Sequence, residues 1–477
     1  MPDDALAALT LTELAAAIAA KKVSSLEATR NCVERLERYG PALNSVAALD
    51  AEAALEAAAA ADAALATGRA RGPLHGVPLA HKDMYYRAGR PSACGSKILA
   101  DFVPEVTATA LARLDGAGAL DIARLNMVEF ALGTTGHNEI TGAVRNPWNP
   151  AHITGGSSSG SGASVAARLV YGALGSDTGG SVRLPAAACG LVGIKPTYGR
   201  VSRFGAMPLS FSLDTVGPLA RNVADAALIL RTIAGRDPAD PTSSSTPVPD
   251  YLAGLEDGVR GLRIATPENY FYDPVDAEVV ALMRASLEVY ARLGAEIVPV
   301  EIPASLARAN AMTMLIIAVE GAACHGRWLE TRRGDYGRQT LGRLLPGLVH
   351  PARRYVEALS LRRQVIEELD AAVFARAEVL HTPVWPFPIP TIAESDLAAN
   401  PGFTEFIATT GHCTRPVNYA GLPAVGVPAG FTGNGLPAAF QLIGRPFDEA
   451  RLLRAARAYE RETEWSSRAP KLGPPEP

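Results

Sequence analysis

From residue 76 onward, short apolar runs alternate with helical patterns, and this alternation constrains the fold more than any other feature. The runs are GVPLA (76–80), ALDIARL (119–125), GLVGIKP (190–196), GLRIATP (261–267), EIVPVEI (296–302), EVLHTPV (378–384) and LPAVGVPAG (422–430). Helical periodicity fills 222–234, 275–293 and 448–463 between and beyond them. Short apolar runs alternating with helical patterns suit strands linked by helical crossovers. The pattern predicts an α/β chain with a large mixed, mostly buried β-sheet flanked by helices on both faces. Residues 1–70 read as a helical arm, with capping boxes at Thr10/Glu13 and Ser24/Glu27. Residues 72–230 form a glycine- and serine-rich core, and 303–375 a helical, arginine-rich insertion. The loop 237–250 does not divide the chain, because the runs on either side suit one sheet, so 1–477 reads as a single domain. The tail at 470–477 is expected to be disordered.

Bulk properties exclude several classes. The net charge of −4 leaves no footprint for nucleic acid or an anionic membrane. No apolar run reaches the roughly 18 residues of a membrane span, and MTMLIIAV (312–319) reads as a buried helical segment. The N-terminus lacks a basic region followed by an apolar core, so a cytoplasmic chain is expected. Five cysteines without a CxxC pair read as reduced, mostly buried thiols. The eight histidines are scattered, so neither a metal nor a cofactor is expected.

Three stretches carry candidate chemistry. GGSSSGSG (155–162) contains a GxSxG pattern, but the preceding RNPWNPAHIT is a loop rather than the strand a nucleophile elbow needs. No GK[ST] closes it as a phosphate loop. In the second stretch, Asp177-Thr178-Gly179-Gly180-Ser181 precedes a helix start. Consecutive amides on such a turn suit a tetrahedral oxyanion, with Ser181 as the hydroxyl beside them; a plain serine cap is the alternative. In the third, Lys82 ends the apolar run GVPLAHK. It is either a surface lysine or a desolvated one, and desolvation would make it a neutral base. His81 points to the other face of that strand.

These three stretches, in this order, resemble the amidase signature family. The resemblance runs over nearly the whole chain, through RNPWNP (145–150), GIKPTYGRVSRFG (193–205), SLDTVGPLARNVADAALIL (212–230), RPVNYAGLPAVGVPAGF (415–431) and GLPAAFQLIGRPFDEARLL (435–453). Ser157 and Ser181 stand 24 residues apart, as in that family. The resemblance implies the amidase signature fold and a Ser-cisSer-Lys triad. Ser181 attacks the carbonyl, Ser157 (after a cis peptide at Gly156) relays the proton, and Lys82 is the base. Thr178, Gly179, Gly180 and Ser181 supply the oxyanion amides. Gly133, Thr134 and Thr135 are expected to bind substrate, and Ser159, Asp177 and Arg183 to support the site. Arg183 either braces it or, as in a few family members, holds a substrate carboxylate; bracing is the expected role. His81 and Ser159 depart from the family pattern, which usually has an aliphatic residue and often a glycine there.

The implied function is a stand-alone hydrolase of linear carboxylic amides, through an acyl-enzyme, that also serves esters and aryl carbamates. The alternative is the A subunit of a tRNA-dependent amidotransferase, hydrolysing glutamine and delivering ammonia to a partner. The expected partners are a small amide, ester or carbamate alone, with no nucleic acid and no membrane, in a monomer or homodimer. The apolar texture of 312–319 and the aromatic WPFPIP (385–390) predict a pocket for aryl-bearing substrates.

Overall fold

A computed structural model describes residues 3–473. The expected tail therefore lies partly outside the described residues, at 474–477. Eleven strands form one sheet: β1 (Val46–Leu49), β2 (Pro78–Lys82), β3 (Leu120–Leu125), β4 (Ala173–Asp177), β5 (Val192–Lys195), β6 (Thr215–Ala220), β7 (Arg263–Pro267), β8 (Glu296–Val300), β9 (Val379–Pro383), β10 (Ala424–Phe431) and β11 (Pro437–Ile443). Their order is β1-β3-β2-β4-β6-β5-β10-β11-β9-β7-β8. β2 runs parallel to β3 and β4, whereas β4–β6–β5–β10–β11–β9 is antiparallel throughout. The sheet is thus mixed, and strands from both sides of 237–250 belong to it, as the alternation of runs predicts.

All seven apolar runs are strands, displaced by at most a few residues. β1, β4, β6 and β11 are additional. β4 (ALGSD) and β6 (TVGPLA) hold little that favours a strand in isolation, but every residue of both is buried. β6 also lies close against β5: a Cβ on Gly217 would overlap the carbonyl oxygen of Ile194. Only glycine fits there, so tertiary contact overrides propensity.

Residues 1–70 are not helical throughout, because Val46–Leu49 leaves the helices to pair with β3 as the edge strand β1. Thr10 and Ser24 each cap a helix, with Glu13 and Glu27 closing both capping boxes. The insertion opens with the long helix Ala304–Thr331, followed by Arg338–Val349, Ala352–Ser360 and Arg362–Leu369. Among the described residues, Ala304–Thr331 is the one helix long and apolar enough to cross a membrane. Half of its most apolar window is buried inside the protein, which suits the expected core role of 312–319. All five cysteines are free thiols, and four are buried.

Candidate active site

β2 and β4 lie side by side, and their C-terminal ends present the chemistry. Lys82 is the last residue of β2 and is fully buried. Its Nζ donates to Ser157 Oγ at 2.7 Å and to Ser176 Oγ at 2.9 Å. Burial disfavours the ammonium and pushes the lysine pKa down to about 7, although the Asp214 and Asp177 charges pull the other way. A neutral amine is therefore abundant near physiological pH. Ser157 follows Gly156 across a cis peptide bond, and the Gly156 amide donates to the Thr134 carbonyl at 2.7 Å. The loop 133–136 thus carries the segment that presents Ser157.

Ser181 sits just before the helix Arg183–Cys189, at the mouth of a cavity lined by Gly133, Thr134, Thr178 and Gly179. Ser181 Oγ makes no hydrogen bond to Ser157 among the described residues. Its carbonyl instead accepts from the Ser158 amide at 3.3 Å, which ties the two serine loops together. Of the four expected oxyanion amides, that of Gly180 already donates to Asp177 Oδ1 at 2.7 Å.

Asp177 and Arg183 are both wholly buried and form an ion pair at 3.0 Å. The guanidinium also donates to Gln441 Oε1, the Thr414 carbonyl and Asn418 Oδ1. Arg183 has no donor directed at the cavity, so its geometry is that of a brace. Burial is the largest single influence and would raise the Asp177 pKa, but the Arg183 charge and hydrogen bonds, the Lys195 charge and the Asn418 amide together outweigh it and hold the carboxyl well below the usual carboxylate range. The stability gained is fully present above the ordinary carboxylate pKa and is lost only as pH falls far below it. Asp177→Asn should leave a buried guanidinium uncompensated and cost about 3–5 kcal/mol, read as a lower midpoint in chemical denaturation. An unchanged midpoint would contradict the bracing role.

Three expected details need correction. Ser159 Oγ is buried without a hydrogen-bond partner, because Ser159 opens the helix Ser159–Ala166 and its side chain turns into packed surroundings. Ser158 makes the contact instead, accepting from the Ser176 amide at 3.3 Å. Thr135 does not line the cavity; it is fully buried, and its Oγ1 accepts the His137 amide at 3.5 Å. The WPFPIP segment lies away from the cavity: Trp385 is core, packed with Ile153 and Leu184, and its indole donates to the Leu184 carbonyl at 2.9 Å. His81 also gains a definite place. Its Nδ1 accepts the Leu174 amide at 3.2 Å, and burial holds its pKa down to about 4, so it is a neutral acceptor on the face away from Lys82.

The cavity wall is not the apolar surface predicted. Leu209 and Ile317 are apolar, but Arg343 and Arg415 stand beside them. Arg415 donates to the Ile407 and Ala408 carbonyls at the end of the helix Phe403–Thr410, and fills the space that a side chain at Gly411 would need. Arg343 makes no hydrogen bond among the described residues, and its Nη1 is sealed from solvent without a partner. Burial lowers the pKa of Arg343 to about 10 and that of Arg415 to about 9. Neither forms an ion pair with a carboxylate among the described residues.

The chain belongs to the amidase signature family: residues 27–453 match the Amidase family, and the sheet and helices form the amidase signature fold. It is 42% identical over 499 residues to a protein of Anaeromyxobacter sp. (strain K) named as the A subunit of glutamyl-tRNA(Gln) amidotransferase, with 100% of this chain and 99% of that protein aligned. A solved structure described as a vestigial protein complex that reveals the evolutionary origins of an s-triazine catabolic enzyme superposes with a TM-score of 0.89 at 31% identity, covering 98% of this chain and 100% of that one. The peptide amidase of Stenotrophomonas maltophilia superposes with a TM-score of 0.82 at 32% identity, covering 98% of each chain. These likenesses correct one expectation outright. A chain that meets small molecules alone, without nucleic acid and as a monomer or homodimer, does not fit a full-length relative named as one component of an enzyme named for a tRNA.

Proposed function

We propose that this chain is the amide-hydrolysing A subunit of a tRNA-dependent amidotransferase, which releases ammonia from glutamine for its partner. The full-length likeness to the amidotransferase relative supports this reading. The observation that carries it is Arg343, an unpaired guanidinium beside Ser181. Its Nη1 is sealed from water without a partner, which is costly unless a ligand supplies an acceptor, and the carboxylate of an amino acid does so.

The chemistry proceeds in two halves. Ser181 Oγ attacks the amide carbon; its proton passes to Ser157, whose own proton passes to neutral Lys82. The amides of Thr178, Gly179 and Ser181 stabilise the oxyanion. On collapse, the Lys82 ammonium returns a proton through Ser157 to the nitrogen, the C–N bond breaks, and ammonia leaves. Water then attacks the acyl ester with the same relay, giving the acid and restoring Ser181. No charge pair has to be built from neutral groups deep in the core except the lysinium and the oxyanion of the moment.

Arg343→Ala should raise KM for glutamine by about 10- to 100-fold, as expected for the loss of a charge-assisted bond of about 1.5–3 kcal/mol, while changing kcat less. An unchanged KM would remove Arg343 from substrate binding. The purified chain is best tested on L-glutamine and on a simple anilide side by side. Faster ammonia release from glutamine, increased by the partner subunits, supports the amidotransferase reading. A second reading, a stand-alone amidase, is favoured by the Leu209 and Ile317 wall and would be supported by faster anilide cleavage with no partner.

A further inference from the structure

A second cleft of about 260 Å³ is lined by Ser176 and Asp214 together with Met84, Met207 and Phe211. Ser176 and Ser157 are the two hydroxyls that Lys82 Nζ contacts. Asp214 precedes β6 and spends its carboxylate on three partners. Oδ1 accepts the Thr178 hydroxyl at 2.5 Å, and Oδ2 accepts the Leu209 and Ser210 amides, each at 2.9 Å. Thr178 belongs to the oxyanion turn, and Leu209 is a wall of the substrate cavity.

We propose that Asp214 is a positioning residue for hydrolysis, one buried carboxylate that fixes the oxyanion turn through Thr178 and the cavity wall through Leu209. The inference rests on the Ser181–Ser157–Lys82 reading above. The carboxylate also acts at a distance. Lys82 is faced by Asp214 and Asp177 and by the Cys94 thiol, and the Asp214 charge is foremost among those favouring its ammonium. Asp214 itself is faced by Lys82 and Arg203; burial raises its pKa, while the Thr178 hydroxyl and the two amides oppose that rise. Removing its charge must therefore move two things together, the geometry of the turn and the proton affinity of Lys82. A residue that merely filled space would move neither.

The test uses a fluorophosphonate, which needs no knowledge of the substrate. Ser181 Oγ forms a bond to phosphorus, fluoride leaves, and the serine proton passes through Ser157 to Lys82. The labelling rate at Ser181 is followed by mass spectrometry across pH for the parent chain, Asp214→Asn and Thr178→Val. Thr178→Val should slow labelling by about tenfold or more without moving the pH limb. Asp214→Asn should slow it similarly and move the limb about one pH unit lower, because the lysine loses a favourable neighbour. Parent-like rate and limb in Asp214→Asn would overturn the proposal. Should Asp214→Asn lose its cooperative thermal transition, Thr178→Val decides alone: slowed labelling supports the link, and parent-like labelling overturns it. Absence of labelling at Ser181 in the parent chain would instead overturn the nucleophile assignment, and this inference with it.

Discussion

Replacing Ser181 with alanine should lower amide hydrolysis by about 10⁴-fold or more while leaving the fold and the thermal transition in place. The side chain lies at the cavity mouth and makes no hydrogen bond that holds the core, so its loss removes chemistry and little structure. What remains is the turn of amides and Arg343, the groups proposed to hold substrate. Substrate affinity in the variant should therefore persist, measurable by calorimetry with glutamine. A variant with a substantial fraction of parent turnover, free of contaminating enzyme, would remove Ser181 from the mechanism.

Replacing Lys82 with alanine should cost amide hydrolysis about 10²- to 10⁴-fold and erase the pH dependence. The sign follows from burial. With a pKa near 7, Lys82 is an ammonium in acid and cannot take the proton that Ser157 passes on. Activity of the parent should fall about tenfold per pH unit below that value and level off above it. The variant has no such group, so its limb should vanish. An amide should suffer more than an activated ester, because an amine leaves only when protonated and a good alkoxide leaving group does not need the proton. Equal losses on a matched amide and ester, or an unchanged limb in Lys82→Ala, would contradict a neutral lysine base.

The parts of the site that the sequence makes legible are those lying in continuous stretches. Lys82 ends an apolar run, Ser157 and Ser181 sit in glycine-rich turns, and Asp177 with Arg183 flanks the second of them. Resemblance to a family assigns their roles, since a lysine ending a strand is otherwise ambiguous. Ser176, Asp214, Arg343 and Arg415 were not legible as parts of one site. Each stands on a different element, and only the sheet order and the packing of the insertion bring them to Ser181 and Lys82. Arg343 in particular lies in an insertion where Arg338, Arg353 and Arg354 flank it in sequence, so nothing local marks it as the unpaired one. The texture of 312–319 predicted an apolar pocket because composition reports the average wall and not the two cations set into it. Similarly, β4 and β6 escape a propensity reading because their glycines serve close packing, Gly217 against the Ile194 carbonyl and Gly175 against the Ser158 and Leu219 side chains. Gln441 and Asn418 lie inside stretches that carry the family resemblance, yet their task, receiving the Arg183 guanidinium, emerges only once β11 is in place.

An acyl-enzyme at Ser181 is the central step of the proposed mechanism, and trapping it is the most direct measurement. The chain is mixed with L-glutamine, quenched in acid within milliseconds to seconds, digested, and analysed by mass spectrometry. A glutamyl ester on the peptide carrying Ser181, absent from Ser181→Ala and released as the hydroxamate when hydroxylamine is added before quenching, is the predicted result. Ammonia released from glutamine at the same rate by Ser181→Ala, with the ester on another residue or on none, would contradict it.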